Sequence, residues 1–168
     1  VLNICRGDPL VTRIGMGYDA HRLQRGIPLW IGGIEIEFES GLSGHSDGDV
    51  LIHALVDAVL GAAGLDDIGK HFPPSEEYRG YKSTKFLQTV ATLLDESGWK
   101  VINLDATIIA ERPRLSVYSE KMCKIIADSL NIEISAVNIK STTTDGMGFI
   151  GEGQGIAAMA TAMIESKR

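Results

Sequence analysis

Residues 47–63 constrain the fold of this chain most strongly, because most positions in them are apolar. Their spacing predicts an α-helix that is apolar over most of its surface and is therefore buried. Asp49, His53 and Asp57 interrupt it at helical spacing, so they share one stripe. A buried polar stripe costs free energy unless it is paired or ligated. The stripe indicates either a core histidine bridged between two carboxylates, or a metal ligand whose ring a neighbouring carboxylate orients.

Shorter patterns around this helix predict strands and further helices, with a Gly-Gly pair that marks a hairpin. In chain order, we predict a strand over 12–19 leading into a polar loop at 19–22, hairpin strands over 29–31 and 34–38, the helix over 47–63 capped by Ser46 or Asp47, a long loop over 64–82, a helix over 84–97, a strand over 101–110, a helix over 115–130, a strand over 136–142 and a glycine-rich stretch over 145–155. The alanine-rich segment 156–164 has helix propensity, but its length also fits a buried strand. This alternation predicts an α/β or α+β domain, with helices on one face of a sheet.

The charge balance and the cysteines narrow the class of protein. With 16 Lys and Arg against 22 Asp and Glu, the net charge of −6 gives no bulk attraction to nucleic acid or to an anionic membrane. No apolar run approaches the roughly 20 residues of a membrane-spanning helix. Cys5 and Cys123 are isolated thiols, which favours a reducing compartment. We expect one domain over residues 1–168, with residues 1–11 as a flexible N-terminal extension that lacks the features of a secretory signal.

Asp19 and His21 form a second candidate cluster, since residues two apart on a strand project to the same face. Together with His53 they offer one carboxylate and two imidazoles. Three protein ligands with an open fourth position are typical of catalytic zinc. An Asp-x-His pair is common by chance, however, and also fits a polar strand end with an exposed histidine. This leaves Asp49 and Asp57 to contact substrate or to support the ligands. His45 precedes the predicted helix, where a helix N-terminus favours an anion.

The run Lys140–Asp145 ends a predicted strand in successive hydroxyl groups and a carboxylate. Such groups can hold phosphate oxygens and a hard cation, or can simply form a strand with a turn. Residues 146–151 match the pattern G-x-G-x-x-G, but Gly153 and Gly155 disfavour the helix that a dinucleotide fold needs there, so we reject that interpretation. Patterns for a nucleophilic elbow and a P-loop are absent from the sequence. The sequence therefore predicts a metal and phosphate site without a protein nucleophile.

Four linked motifs resemble the 2-C-methyl-D-erythritol 2,4-cyclodiphosphate synthase family, in order from about Arg13 to the C-terminus. They are Tyr18-Asp-Ala-His21, His45-Ser-Asp-Gly-Asp49 with His53, Asp67-Ile-Gly69-Lys-His-Phe72 and Lys140-Ser-Thr-Thr-Thr144. The resemblance implies a phosphorus–oxygen lyase that converts 4-diphosphocytidyl-2-C-methyl-D-erythritol 2-phosphate to the cyclic diphosphate and CMP, in non-mevalonate isoprenoid biosynthesis. It also implies an α+β two-layer sandwich with a mixed sheet, a C-terminal strand, and a homotrimer with active sites between subunits. The implied location is the bacterial cytoplasm, or the plastid stroma if a leader was removed.

The resemblance further implies roles for individual residues. Zn²⁺, or another divalent cation, would be held by Asp19, His21 and His53, with a substrate phosphate as the fourth ligand. A Mg²⁺ or Mn²⁺ ion bridging the substrate phosphates would lie at Asp145. The implied contacts to the cytidine diphosphate substrate are His45, Ser46 and Thr143 at the phosphates, Asp67 and Gly69 at the ribose, Ile68 and Phe72 at the methylerythritol unit, and Ala110, Arg114, Leu115, Ser141 and Thr142 at the cytosine.

The sequence departs from the family pattern at four positions. Asp145 replaces the commoner Glu and has a shorter reach, and Ser141 replaces a small apolar residue. Pro74 stands where the lid usually carries an Asp. Glu152 occupies a position that is Arg in some members, where it binds an isoprenoid diphosphate, so a carboxylate there argues against that ligand. Two other functions remain compatible with the residues: a metal-dependent phosphoesterase, and a non-catalytic binding module with a structural metal.

Overall fold

The structure is a computed structural model that describes residues 10–167. Its strands are β1 (Thr12–Arg25), β2 (Leu29–Ile31), β3 (Ile34–Ile36), β4 (Ser40–Leu42), β5 (Trp99–Ile109), β6 (Val137–Thr142) and β7 (Gly155–Ser166). Its helices are α1 (Val50–Ala63), α2 (Ile68–His71), α3 (Ser83–Glu96), α4 (Ser119–Leu130) and α5 (Gly148–Gly151), with short 3₁₀ turns at Glu76–Tyr78, Ser116–Tyr118 and Ile134–Ala136. No helix among these residues is both long enough and apolar enough to cross a bilayer.

A five-stranded sheet forms one layer, in the order β4-β1-β7-β5-β6. Strands β5 and β6 run parallel, whereas the other neighbouring pairs are antiparallel, so the sheet is mixed. Strands β2 and β3 form the predicted hairpin around Gly32-Gly33 as a separate two-stranded sheet. The helices form the second layer on one face of the large sheet, which confirms the α+β two-layer prediction.

Helix α1 packs unusually close to β1, because β1 has no side chains at two contact positions. A Cβ atom added to Gly17 would lie 2.0 Å from the carbonyl oxygen of Ala54, and one added to Gly15 would lie 2.0 Å from that of Ala58. The neighbouring strand β7 presents only alanine side chains to the helix at Ala158 and Ala160. Because α1 lies this close to β1, the His53 side chain of α1 reaches Asp19 of β1.

The other face of the sheet carries large apolar side chains that no helix of residues 10–167 covers. Ile14, Met16 and Tyr18 of β1 are 73%, 66% and 51% exposed, and Met159 of β7 is 44% exposed. Met159 pairs directly with Tyr18, so these side chains form one continuous strip. We call this strip the open sheet face.

Several predicted boundaries differ from the structure. The polar loop expected at 19–22 is wrong, because β1 continues to Arg25 while pairing with β7 and then β4. The helix expected over 115–130 is interrupted, since Ser116–Tyr118 forms a 3₁₀ turn before α4 begins. Segment 156–164 is a strand, because pairing with β1 and β5 on both sides outweighs the helix propensity of alanine.

Three further predictions agree with the structure only in part. Helix α1 begins at Val50 and is capped by Asp49, not by Ser46 or Asp47. The long loop over 64–82 contains α2 and a 3₁₀ turn. The flexible extension predicted for residues 1–11 falls largely on residues 1–9, which lie outside the described residues, as does Cys5. Cys123 is a buried free thiol.

Candidate functional site

Two strand residues and one helix residue bring three metal-binding atoms together. Asp19 and His21 project from the same face of β1, and His53 faces them from α1. The Oδ2 atom of Asp19 lies 2.9 Å from Nε2 of His21 and 3.0 Å from Nδ1 of His53, and the two nitrogens are 3.1 Å apart. Ligands in a tetrahedral zinc shell are about 3.3 Å apart. The three side chains therefore fit one divalent cation.

Hydrogen bonds on the outer side fix both imidazole rings. Nδ1 of His21 donates to the carbonyl oxygen of Ser43 at 2.7 Å, so its Nε2 faces inward. Nε2 of His53 lies 2.9 Å from the hydroxyl of Ser83 and 3.1 Å from that of Ser46, so its Nδ1 faces inward. Supporting contacts of this kind orient ligands before a metal binds.

Electrostatics keep the carboxylate of the cluster in its ligand form. Burial alone would favour the neutral acid, but hydrogen bonds and charge from His21 and His53 hold the pKa of Asp19 well below its usual range. Burial also opposes charge on His21, yet the neighbouring Asp19 raises the pKa of that imidazole. Asp19 is thus ionised at neutral pH, as a metal ligand must be.

The other two members of the polar stripe do not contact the His53 ring. Asp49 is fully buried and accepts the backbone N–H groups of Gly32, Gly33 and Ile52 at 2.9, 2.7 and 3.1 Å. Asp57 accepts the N–H of Ile68 at 2.8 Å. Burial raises the pKa of both carboxyl groups. The two carboxylates therefore neither bridge the histidine nor orient its ring, but tie the hairpin and α2 to α1. The alternative that they contact substrate stays a prediction.

A cavity of about 240 Å³ opens beside the three ligands. Its lining includes Asp19, His21, His45, Ser46, His53, Ile68, Phe72, Pro74, Tyr78 and Phe86. Four residues predicted from the resemblance as substrate contacts therefore lie in this cavity: His45, Ser46, Ile68 and Phe72. Asp67 and Gly69 do not line it; the side chain of Asp67 caps α2 by accepting the N–H of Lys70. The ring of His71 is hydrogen-bonded within the protein, since its Nε2 lies 2.6 Å from the carbonyl oxygen of Leu65.

Aromatic side chains form one wall of this cavity, and only Phe72 among them was predicted from the sequence as a site residue. The rings of Phe72 and Phe86 lie 4.4 Å apart between centroids, and Tyr78 and Tyr81 pack against Phe86 at 5.9 and 5.3 Å. Three of these rings come from the segment predicted as a loop, and the fourth comes from α3. The wall makes one side of the cavity apolar, while the histidines make the other side polar.

A second cavity of about 290 Å³ lies at the carboxyl ends of β5 and β6. Its lining comprises Ala110–Leu115 and Ser141–Thr143. All five residues predicted for a cytosine pocket line it, and so does Thr143. The backbone N–H of Ala110 donates to the carbonyl oxygen of Thr142 at 3.0 Å, which holds the two segments together.

Glu111 organises the loop after β6 and was not identified from the sequence. Its carboxylate accepts the backbone N–H groups of Thr144 and Gly146 at 2.9 and 3.3 Å, and the hydroxyl of Thr144 at 3.2 Å. These bonds, the Thr144 amide foremost, lower the pKa of Glu111. Between those two donors, Asp145 adopts a left-handed backbone with φ of 52°, and its N–H donates to the Thr143 hydroxyl at 3.3 Å. Glu111 thereby fixes the loop that carries Asp145.

The two cavities of one chain are separated across the sheet. Asp19 pairs with Ala158, Ala158 with Ile108, and Ile108 with Ser141. Three strand spacings correspond to roughly 14 Å. Ala158 and Ile108, which lie between, are buried. Packed protein therefore occupies the space between the metal ligands and the second cavity at this level of the sheet.

Comparison with known proteins gives one consistent result. The model of the YgbB family matches residues 12–165. The 2-C-methyl-D-erythritol 2,4-cyclodiphosphate synthase of Alkaliphilus oremlandii is 52% identical over 153 residues, which cover 90% of this chain and 98% of that protein. The enzyme of the same name from Clostridium novyi is 52% identical over 156 residues, which cover 92% of this chain and 99% of that one.

Solved structures agree with the sequence relatives. The IspF of Plasmodium falciparum in complex with CDP has a TM-score of 0.83 at 33% identity, covering 94% of this chain and 97% of that chain. The bifunctional IspDF of Campylobacter jejuni has a TM-score of 0.90 at 35% identity, covering 94% of this chain. This chain spans only 43% of the length of the bifunctional protein.

Proposed function

This chain belongs to the YgbB family and has the 2-C-methyl-D-erythritol 2,4-cyclodiphosphate synthase function of isoprenoid biosynthesis, and we propose that it works by closing a ring within its substrate. The substrate is 4-diphosphocytidyl-2-C-methyl-D-erythritol 2-phosphate. An oxygen of the 2-phosphate attacks the β-phosphorus, the bond from that phosphorus to the oxygen bridging to the α-phosphate breaks, and CMP leaves with the bridging oxygen. No water is consumed, so the enzyme class is a phosphorus–oxygen lyase.

The metal centre carries this proposal through a single observation: three ligand atoms lie within 3.1 Å of one another beside an open cavity. Asp19, His21 and His53 would hold Zn²⁺ or another divalent cation, with one coordination position left for a substrate phosphate oxygen. When bound, the ion neutralises phosphate charge in a chain whose own net charge is −6. Because the nucleophile is already anionic, the residues need only align it with the leaving group.

The residues around the ligands position the rest of the substrate. His45 and Ser46 contact the phosphates in the first cavity, and Ile68 and Phe72 face the methylerythritol unit against the aromatic wall. Thr143 contacts a phosphate, and Asp145 would hold a Mg²⁺ or Mn²⁺ ion, which would neutralise charge on the substrate phosphates. The bonds from Glu111 support this role of the Asp145 loop.

The second cavity binds the cytosine through Ala110, Arg114, Leu115, Ser141 and Thr142, with Asp67 and Gly69 at the ribose. A cytidine nucleotide ligand is supported by the relative from Plasmodium falciparum, whose structure is a CDP complex. We propose that the whole chain acts as one domain. The cytoplasm, or a plastid stroma, is its proposed location, and Glu152 disfavours an isoprenoid diphosphate ligand.

We propose a homotrimer in which one chain supplies the metal ligands and its neighbour supplies the cytosine pocket. The open sheet face supports self-association, since Ile14, Met16 and Tyr18 would be buried against another copy. The roughly 14 Å of packed protein between the two cavities of one chain supports a site shared between chains. The number three follows the family resemblance.

The trimer predicts a specific loss of assembly. Met16→Glu places a charge on the open sheet face. In sedimentation equilibrium, we expect wild type to have the mass of three chains and the variant to have the mass of one. The variant should also lose turnover. Ile134→Glu changes another exposed apolar side chain, away from this face, and should leave the mass unchanged. A wild-type protein that sediments as a monomer would contradict the proposal.

Product analysis tests the reaction itself. Incubation with the diphosphocytidyl substrate is expected to yield CMP and the cyclic diphosphate in equal amounts, to stop when a chelator removes divalent cations, and to resume when Zn²⁺ and Mg²⁺ are added back. Inorganic phosphate without CMP would instead identify a phosphoesterase. Nucleotide binding without any turnover would identify a binding module.

A further inference from the structure

We propose that Ser83, held by Asp47, is a positioning residue that keeps a proton on Nε2 of His53 and thereby turns the lone pair of Nδ1 toward the metal. The proposal rests on the proposed role of His53 as a metal ligand. Neither Ser83 nor Asp47 belongs to the ligand set, and neither lines the cavity beside it. Their effect on the metal acts through the His53 ring alone.

Asp47 holds Ser83 by two bonds. Ser83 is the first residue of α3 and is fully buried. One carboxylate oxygen of Asp47 accepts the backbone N–H of Ser83 at 2.8 Å, and the other accepts its hydroxyl proton. This second oxygen also accepts the N–H of Asp49 at 3.3 Å. The carboxylate therefore accepts three hydrogen bonds, and the O–H bond of Ser83 has one orientation.

The direction of the bond to His53 follows from counting protons. A serine hydroxyl has one proton to donate, and an ionised carboxylate can only accept. Since the Ser83 proton goes to Asp47, the Ser83 oxygen must accept from Nε2 of His53, 2.9 Å away. Nε2 then carries hydrogen, and Nδ1 is the nitrogen that can lose its proton and bind a cation beside Asp19.

Ser46 is the other hydroxyl near Nε2, but its constraints differ. It lies 3.1 Å from Nε2 and accepts only a long bond of 3.4 Å from the N–H of Gly48. No carboxylate among residues 10–167 accepts the Ser46 hydroxyl proton, so Ser46 does not by itself determine which ring nitrogen of His53 carries hydrogen. Ser46 therefore serves as the matched control for removing a hydroxyl at the same ring nitrogen.

Zn²⁺ alone, without substrate, is the probe for the test. Competition against a chromophoric chelator is expected to show a 10- to 100-fold weaker Zn²⁺ affinity for Ser83→Ala and for Asp47→Asn, the usual range for loss of an orienting partner. Ser46→Ala should change the affinity less than about threefold. Equal affinities for wild type and Ser83→Ala would overturn the positioning role, as would an equal loss in Ser46→Ala. A wild type that binds no Zn²⁺ would instead overturn the proposed metal centre.

A spectroscopic measurement on the wild type tests the same proposal without depending on whether a variant folds. Nitrogen-15 spectra of the Zn²⁺-loaded protein should show a protonated Nε2 of His53 with slow proton exchange, and a metal-bound Nδ1. Zinc on Nε2, with the proton on Nδ1, would contradict the proposal whatever the variants do. Thermal unfolding in chelator shows whether Ser83→Ala weakens α3 in addition to the metal site.

Discussion

Replacing His53 with alanine is expected to lower the rate of CMP release by about 10³-fold or more. The substitution removes one of three metal ligands, and a bound cation contributes several kcal/mol of charge stabilisation in the transition state, which corresponds to three or more powers of ten. The purified variant should also lose its stoichiometric Zn²⁺ when measured by atomic emission. Both losses have one cause, the missing Nδ1 atom beside Asp19.

His71→Ala is the matched control for this substitution. It also removes an imidazole, but that ring bonds the carbonyl oxygen of Leu65 and lies outside the ligand cluster. His71→Ala should therefore keep its full metal content. Retained metal and turnover in His53→Ala would show that the reaction does not depend on this centre, and global unfolding of that variant would favour a structural metal instead.

Gly17→Val is expected to have the largest effect on stability. Any Cβ atom at this position meets the carbonyl oxygen of Ala54 at 2.0 Å, and a backbone atom cannot rotate away. Overpacked core sites lose roughly 1–3 kcal/mol and occasionally more, and we expect about 3 kcal/mol or more here because α1 itself must move. Urea unfolding measures the loss of free energy. Displacement of α1 also moves His53 from β1, so Zn²⁺ affinity should fall with stability.

Gly61→Ala provides a control of opposite sign on the same helix. Gly61 lies on the exposed side of α1, and a Cβ atom there meets nothing within 4 Å. Alanine in a helix interior is favoured over glycine by about 0.5–1 kcal/mol, so this variant should be slightly more stable than wild type. If Gly17→Val unfolds at the same urea concentration as wild type, the close contact between α1 and β1 does not determine the stability of the fold.

Local patterns predicted most of the elements but not their limits. The apolar run of α1 and the Gly-Gly hairpin depend on short-range periodicity, and both appear where expected. Local pattern left helix and strand open for the alanine-rich segment 156–164. It is strand β7 because pairing with β1 and β5, which lie far away in the chain, outweighs its helix propensity. Likewise β1 continues through the polar residues 19–22 because β7 and β4 supply its backbone partners.

The site shows the same division. Residue types and spacing identified Asp19, His21 and His53 as a candidate ligand set, and the motifs that resemble the family identified several residues in the lining of each cavity. Neither identified Ser83 and Glu111, whose hydrogen-bond partners lie about thirty residues away in the chain. No periodicity within either segment encodes those contacts.

The amino-acid sequence alone specified which atoms are available to bind a cation and phosphate, because that capacity belongs to each side chain. Only tertiary structure decided which nitrogen of His53 faces Asp19, and that Asp49 and Asp57 hold backbone amides rather than the ring. The physical reason is distance. Hydrogen bonds and close packing act over about 3–4 Å in space, whatever the separation along the chain. His53 meets Asp19 because the glycines of β1 let α1 approach, whereas Asp49 and Asp57 meet amides of the hairpin and of α2.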